Sequence, residues 1–340
     1  QMPEKKIGIL YILDNLAIGG AQQIDLTLAE NLDKEIFHIV VCTLFSRDPT
    51  TEEPLADEIK DMGIPVYQLA MTSWRDWNTT KTLLQIIDKE NIDLVHSHMV
   101  PADFWGNFLS KILRRKKVIY TRHNTYIPKG ISSKIQTFLL NRILCEKIVS
   151  ISDATFKNLV DQCWANPQKI VKIYNGVNTK RFSLSLSGTR VRESLDIPPD
   201  SVVIGNLSRF EKRKGYDVFS RVASQVTKLD TNVRFLVIGY GEEEAYLKSL
   251  VKQFALEKCV IFVKPRRDIP QVLAAIDILL FTPYWGEGLP TIILEAMASG
   301  KPVVASNIGS NKELVANGIT GFLPSPEIWV METRQLEASA

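Results

Sequence analysis

Long apolar runs are missing from this chain of 340 residues. The nearest approach to a membrane span, 272–281, falls short of the roughly 18 residues needed and is broken by Asp277. Cysteine is sparse and scattered at Cys42, Cys145, Cys163 and Cys259, with no C-x-x-C pair. That spacing argues against a disulfide framework and a thiolate zinc site, and it fits a reducing cytosol. Charge of one sign is not in excess. A net charge of +3 is too small to argue for nucleic acid, and no nucleic-acid partner is expected. The chain enters a strand-like run almost at once, so no signal peptide is expected, and Gln1 ahead of Met2 reads as an expression remnant. There is no G-x-G-x-x-G after the first strand. The nearest match, 239–244, lacks the third glycine and sets Glu242, Glu243 and Glu244 where a pyrophosphate would lie, which excludes NAD and FAD. Histidines number four. His38 reads as a packed strand residue. His96 and His98 share one side of a strand end, but no third ligand is evident nearby, so no metal is expected.

What is present is alternation. Apolar runs at 7–13, 37–44, 66–69, 94–97, 118–121, 148–151 and 170–174 are separated by amphipathic stretches such as 21–32, 77–89 and 132–144. This pattern predicts parallel strands with helices on both faces. It lapses over 175–200, which is rich in Ser, Gly, Pro and charge, then restarts at 202–207, 234–238, 260–263, 278–281 and 302–305. The expectation is an α/β chain of two Rossmann-like, doubly wound domains: 1–180, a linker at 181–200, then 201–325. Sheets of this kind bind ligands beyond the carboxyl ends of their strands, so a two-domain version is expected to use the cleft between them. The tail at 326–340 reads as irregular, as though the chain were cut short.

Several residues at strand ends could carry chemistry. Gly19 and Gly20 open the first helix and allow a close approach to an anion. His123 follows the run 118–121 and is a hydrogen-bond partner for a polar substrate. Arg209 and Lys214 follow the run 202–207, offering a fork and a point charge to phosphate oxygens. Lys212 and Arg213 share that loop, which leaves a solvated basic turn as the alternative, but the functional reading is favoured because the loop at Glu287 is expected to meet it. Glu287 and Glu295 lie eight positions apart around the start of a helix, with Pro290 suited to its first position and Gly300 and Pro302 ending it. Trp74, Trp77 and Tyr126 could stack on a sugar. A basic cluster of Lys111, Arg114, Arg115, Lys116 and Lys117 either complements a helix end or contacts anionic lipid.

Together, the E-x7-E block EGLPTIILEAMASGKPVVAS, SRFEKRKG, GGAQ, VHSH and the NGV after Tyr174 resemble the retaining glycosyltransferases of family 4, which have the GT-B fold. The resemblance runs from about Lys6 to about Pro324. It implies a nucleotide-diphospho-sugar donor, with Arg209, Lys214, Thr291, Gly19 and Gly20 at the diphosphate and Glu295 on the ribose. Glu287, Gly288, Leu289 and Pro290 would hold the sugar, His123 would sit beside the reacting carbon, and Arg266 and Arg267 would lie in the loop at the base. Glu287 and His123 are thus the catalytic candidates, with no metal and no cofactor required. Pro290 departs from the E-G-F-G of many relatives and removes an amide donor. The long C-terminal helices usual in the family are not found. The expected activity is transfer of a hexose, glucose-type, from a UDP-sugar (GDP less favoured) to a glycan or lipid-linked acceptor in polysaccharide biosynthesis. The place is the cytoplasm or the inner membrane face. A nucleotide-sugar epimerase and a catalytically silent nucleotide-sugar binder are the alternatives.

Overall fold

The computed structural model describes residues 5–17, 19–44, 55–71, 76–98 and 102–324. The chain forms two units that divide between Asn175 and Gly176.

In the first unit the elements are β1 (Ile7–Leu13), α1 (Gly20–Asn31), β2 (Phe37–Thr43), α2 (Leu55–Asp61), β3 (Val66–Gln68), α3 (Trp77–Lys89), β4 (Ile92–Ser97), α4 (Ala102–Arg114), β5 (Lys117–Arg122), α5 (Gly130–Leu139), β6 (Lys147–Ser150), α6 (Asp153–Asp161) and β7 (Ile170–Lys172). Seven parallel strands lie in the order β3-β2-β1-β4-β5-β6-β7. The middles of the central strands β1 and β2 are continuous apolar runs because both faces are covered, while β4 and β5 end in the polar residues His96, Ser97, Thr121 and Arg122. Leu10 and Ile12 of β1 enter one core with Val40, Leu83 and Val95, while Ile9, Tyr11 and Leu13 enter the other with Val41, Leu26 and Leu55. Caps fix the helix starts: Asp76 accepts from the Thr79 amide before α3, and Ser152 and Thr155 form a capping box on α6.

The second unit runs α7 (Thr189–Ser194), β8 (Val202–Leu207), α8 (Tyr216–Leu229), β9 (Val233–Ile238), α9 (Glu244–Gln253), β10 (Val260–Val263), α10 (Ile269–Ala275), β11 (Ile278–Phe281), α11 (Thr291–Ala298), β12 (Val303–Ala305), α12 (Asn311–Leu314) and β13 (Gly321–Phe322). Its six strands are ordered β10-β9-β8-β11-β12-β13. Val203, Leu236 and Leu279 face one core, and Ile204, Phe235, Val237 and Leu280 the other.

Three expectations change. The segment 181–200 is not a free linker: Phe182, Val191 and Ile197 are buried in the second unit's core. Pro290 is the residue before α11, with extended backbone, and Thr291 takes the first helical position. The stretch expected as one helix over 132–144 starts at Gly130 and passes from α5 into a π turn over Leu140–Leu144. The tail 326–340 and Trp74 lie outside the described residues.

Candidate functional site

In each sheet the strand order reverses at one point, between β1 and β4 in the first and between β8 and β11 in the second. A crevice outside the carboxyl ends of two such strands is the usual ligand position in a doubly wound sheet. Both groups of candidate residues fall at these places.

In the second unit, the chain leaves β8 and turns through Lys212–Lys214 into Gly215 before α8. Gly215 has φ of 64°, and a Cβ there would stand 2.1 Å from the carbonyl oxygen of Thr282, just past β11. The Thr282 hydroxyl donates to the Lys214 and Gly215 carbonyls. This close crossing of the two loops sets Lys214 against Glu287. The Lys214 ammonium lies 2.7 Å from Glu287 Oε1, and Arg213 Nη1 lies 2.6 Å from the same oxygen. Lys214 and Glu287 are both buried. Burial lowers the Lys214 ammonium below its ordinary range, and the Glu287 charge opposes that shift. Arg213 Nε also meets Glu211 Oε2 at 2.6 Å, and Arg209 reaches Glu211 Oε1 at 2.9 Å. The sequence marked Arg209 and Lys214 as partners. The structure puts Arg213, not Arg209, against Glu287, with Arg209 held at one remove through Glu211 and largely exposed.

Glu295 lies within α11, one turn past Thr291. Its carboxyl is pushed up to about 7 by burial, with the Arg181 charge pulling the other way. Gly288, Leu289 and Pro290 are buried, and the Leu289 side chain belongs to the interior. Arg266 forms a two-point pair with Asp268, at 2.7 and 2.6 Å, and Arg267 is exposed beside it. Both follow β10, which lies two strands from β8 in the sheet.

In the first unit, Gly19 caps α1 with extended backbone and Gly20 opens the helix, exposed. His98 follows β4 and His123 follows β5. Asp25, on α1, meets both: its Oδ1 lies 2.7 Å from His98 Nδ1 and 3.4 Å from His123 Nε2. Burial works against the Asp25 charge, but the two imidazoles hold its carboxyl well below the usual carboxylate range. Asp25 Oδ2, His98 Nε2 and His123 Nδ1 are buried and without a hydrogen-bond partner among the described residues. His96 packs its ring 4.0 Å from that of His98 and meets the Thr121 hydroxyl at 2.8 Å, and burial keeps its ring nitrogen well below its ordinary range.

The sequence expected no third ligand near the His96–His98 pair. The fold supplies one, but for His98 and His123: with Asp25 they bring three ligand atoms within 4.8 Å of one another. The 2.7 Å contact between Asp25 and His98 is of hydrogen-bond length. Two ligands of one tetrahedral zinc, each about 2.0 Å from it, stand roughly 3.3 Å apart. The other two separations, 3.4 Å from Asp25 Oδ1 to His123 Nε2 and 3.3 Å from His98 Nδ1 to His123 Nε2, are close to that ligand spacing. Asp25 carried no signal in the sequence, because it is one acid on an amphipathic helix and its partners lie more than seventy residues away.

Of the remaining candidates, Trp77 is exposed and the Tyr126 hydroxyl pairs with Ser133. Lys111 pairs with Glu146 and Arg114 with Asp88, while Arg115 and Lys117 are exposed.

Two family models divide this chain. Residues 18–181 match glycosyltransferase family 4, and residues 188–331 match the glycosyl transferases group 1. A UDP-Gal:alpha-D-GlcNAc-diphosphoundecaprenol alpha-1,3-galactosyltransferase of Escherichia coli is 25% identical over 328 residues, 94% of this chain and 84% of that protein. An N-acetyl-alpha-D-glucosaminyl L-malate synthase of Bacillus anthracis is 25% identical over 263 residues, 76% of this chain and 66% of that one. Among solved structures, Anabaena HepE in complex with UDP and glucose aligns with a TM-score of 0.82 at 23% identity, covering 98% of this chain and 90% of its own. WaaG, a glycosyltransferase of lipopolysaccharide biosynthesis, aligns with a TM-score of 0.69 at 17% identity, covering 97% and 90%.

Proposed function

The chain belongs to the family 4, group 1 glycosyltransferases of the GT-B fold, and on that premise we propose that it transfers a hexose, glucose-type, from a UDP-sugar with retention of anomeric configuration. The observation that carries this reading is the shared oxygen of Glu287, held by Lys214 and Arg213 at the point where the second sheet reverses its strand order. A diphosphate competes with Glu287 for the two cations. Once it takes them, the carboxylate is free to accept hydroxyls of the donor sugar. When the sugar–diphosphate bond breaks, negative charge develops on the leaving oxygens, and Lys214, Arg213 and the start of α11 offset it without a metal or cofactor. Glu295 accepts from the ribose, the Arg266–Arg267 loop lies at the base, and Arg209 supports Arg213 through Glu211. His123, oriented by Asp25, contacts the sugar, and the Gly19–Gly20 turn serves the diphosphate or the acceptor. UDP is favoured over GDP because the Escherichia coli relative is named for UDP-Gal and HepE holds UDP and glucose. A glycan or lipid-linked acceptor, in polysaccharide biosynthesis, belongs to the same proposal, supported by the Escherichia coli relative, which is named for a diphosphoundecaprenol-linked sugar.

Calorimetric titration of UDP tests the donor site. Lys214→Ala and Arg213→Ala should each weaken UDP at least tenfold, since a charge-assisted phosphate contact contributes about 1.5–3 kcal/mol. Arg209→Ala should cost less than either. Unchanged affinity in Lys214→Ala and Arg213→Ala would overturn the donor assignment, and an epimerised nucleotide sugar formed without acceptor would overturn transfer as the reaction. Loss of activity on adding a chelator would overturn the metal-free part.

A further inference from the structure

Beside the ends of β4 and β5, three side chains from separate parts of the first unit converge on one point. Asp25 Oδ1 lies 2.7 Å from His98 Nδ1 and 3.4 Å from His123 Nε2, and the two ring nitrogens are 3.3 Å apart. A triangle with these sides has a point about 2.0 Å from every corner, a little off its plane. That is the bond length from zinc to an imidazole nitrogen or a carboxylate oxygen. The short side narrows one ligand angle to about a right angle, and the other two stay near tetrahedral. Two imidazoles and one carboxylate suit a divalent transition ion, whereas magnesium and calcium take oxygen ligands.

The surroundings hold these groups in place and keep water from them. The side chains of Asp25, His98 and His123 are 4%, 1% and 7% exposed. His98 packs against the His96 ring at 4.0 Å and the Tyr11 ring at 5.0 Å, and His96 is itself tied to the Thr121 hydroxyl. A buried carboxylate is costly unless it is paired or coordinates a metal. Asp25 pairs with no Lys or Arg among the described residues, and its Oδ2 has no hydrogen-bond partner there. An ion at the shared point takes one lone pair from each ring. The ring protons then sit on His98 Nε2 and His123 Nδ1, the buried nitrogens that have no hydrogen-bond partner among the described residues.

We propose that Asp25, His98 and His123 form a binding site for one divalent transition-metal ion of the zinc class, with a fourth position left for water or a ligand. With the ion in place His123 Nδ1 is an N–H donor, so the ring keeps a polar atom for the proposed sugar contact. The cation clasp proposed for the diphosphate lies in the second unit and acts without this ion. The site is therefore independent of it, and the test needs no turnover.

The whole chain, treated with chelator and then freed of it, is titrated in a calorimeter with zinc chloride and, separately, with magnesium chloride. One zinc ion per chain and no magnesium are expected, and zinc should raise the thermal unfolding midpoint. Cobalt(II) in place of zinc should give the strong visible absorption of a low-coordinate site without the charge-transfer band of a thiolate. Asp25→Asn and His98→Gln should each weaken zinc at least tenfold, the loss that follows even from removing an outer partner of a ligand. His38→Gln and Cys259→Ser should bind as the native chain does. The first removes the imidazole that meets Glu90 at 3.0 Å, and the second removes the one cysteine that is not buried. A midpoint measured without metal shows that each variant is folded, and should Asp25→Asn fail that check, His123→Gln replaces it. Native protein that takes up no zinc, unchanged affinity in both ligand variants, or lost affinity in either control would overturn the proposal. Magnesium bound as tightly as zinc would overturn the class of ion.

Discussion

Glu295 is asked to be two things at once. To accept hydrogen bonds from a ribose it works best ionised, yet burial pushes its carboxyl from 4.5 up to about 7. The folded state thus binds this proton more tightly than the unfolded chain does. The stability it contributes is fully present below about 4.5 and is lost as pH rises through about 7, a change of roughly 3 kcal/mol. Glu295→Gln keeps the shape and removes the titration. The expected outcome is a variant more stable than native at pH 8, level with it near pH 4.5, and weaker in binding UDP. Denaturant melts at three pH values measure the first two. A variant less stable than native at pH 8 would mean that the ionised carboxylate has a partner that compensates its burial.

Among elements, the turn that joins β8 to α8 decides the geometry of the proposed donor site. Gly215 is left-handed, and the space where a Cβ would stand is taken by the Thr282 backbone oxygen at 2.1 Å. A backbone atom cannot swing aside as a flexible side chain can. Gly215→Ala must therefore open the crossing between the loops after β8 and β11, and it pulls Lys214 from Glu287. We expect a loss of at least about 2 kcal/mol in stability, from strain added to overpacking, together with tenfold or weaker UDP binding. Native-like stability in a denaturant melt would show that the two loops can separate freely. This turn also marks the limit of what the sequence discloses. The strands Ile7–Leu13, Val202–Leu207, Val260–Val263 and Ile278–Phe281 are legible to the residue, because buried parallel strands need uninterrupted apolar runs. Which of Arg209 and Arg213 meets Glu287 is not legible, since the left-handed step at Gly215 sets the direction of the side chains before it. Asp25 is hidden for a related reason: only the pairing of β1, β4 and β5 brings its helix beside His98 and His123. Composition misled at 181–200, where Ser and Gly surround the few residues, Phe182, Val191 and Ile197, that enter a core.

At the scale of the molecule, the two units have separate sheets and separate two-faced cores, and the groups proposed for the base, the ribose and the cation clasp all belong to the second. Lys214, Arg213, Glu287, Glu295 and Arg266 lie between Gly176 and Ala340, whereas Asp25, His98 and His123 lie before Asn175. A nucleotide without its sugar should therefore act on the second unit. At a hundred times its dissociation constant, UDP stabilises the state it binds by about 2.7 kcal/mol. For a unit of this size, that raises the unfolding midpoint by roughly 5–10 °C. Hydrogen exchange followed by peptide mass spectrometry can read each unit by itself. Slower exchange is expected first in peptides spanning 209–218 and 284–296. Peptides spanning 19–31 and 118–126 should respond to the intact UDP-sugar more than to UDP. Protection by UDP confined to the first unit would refute the division of labour, because no group assigned to the base, ribose or cation clasp lies there.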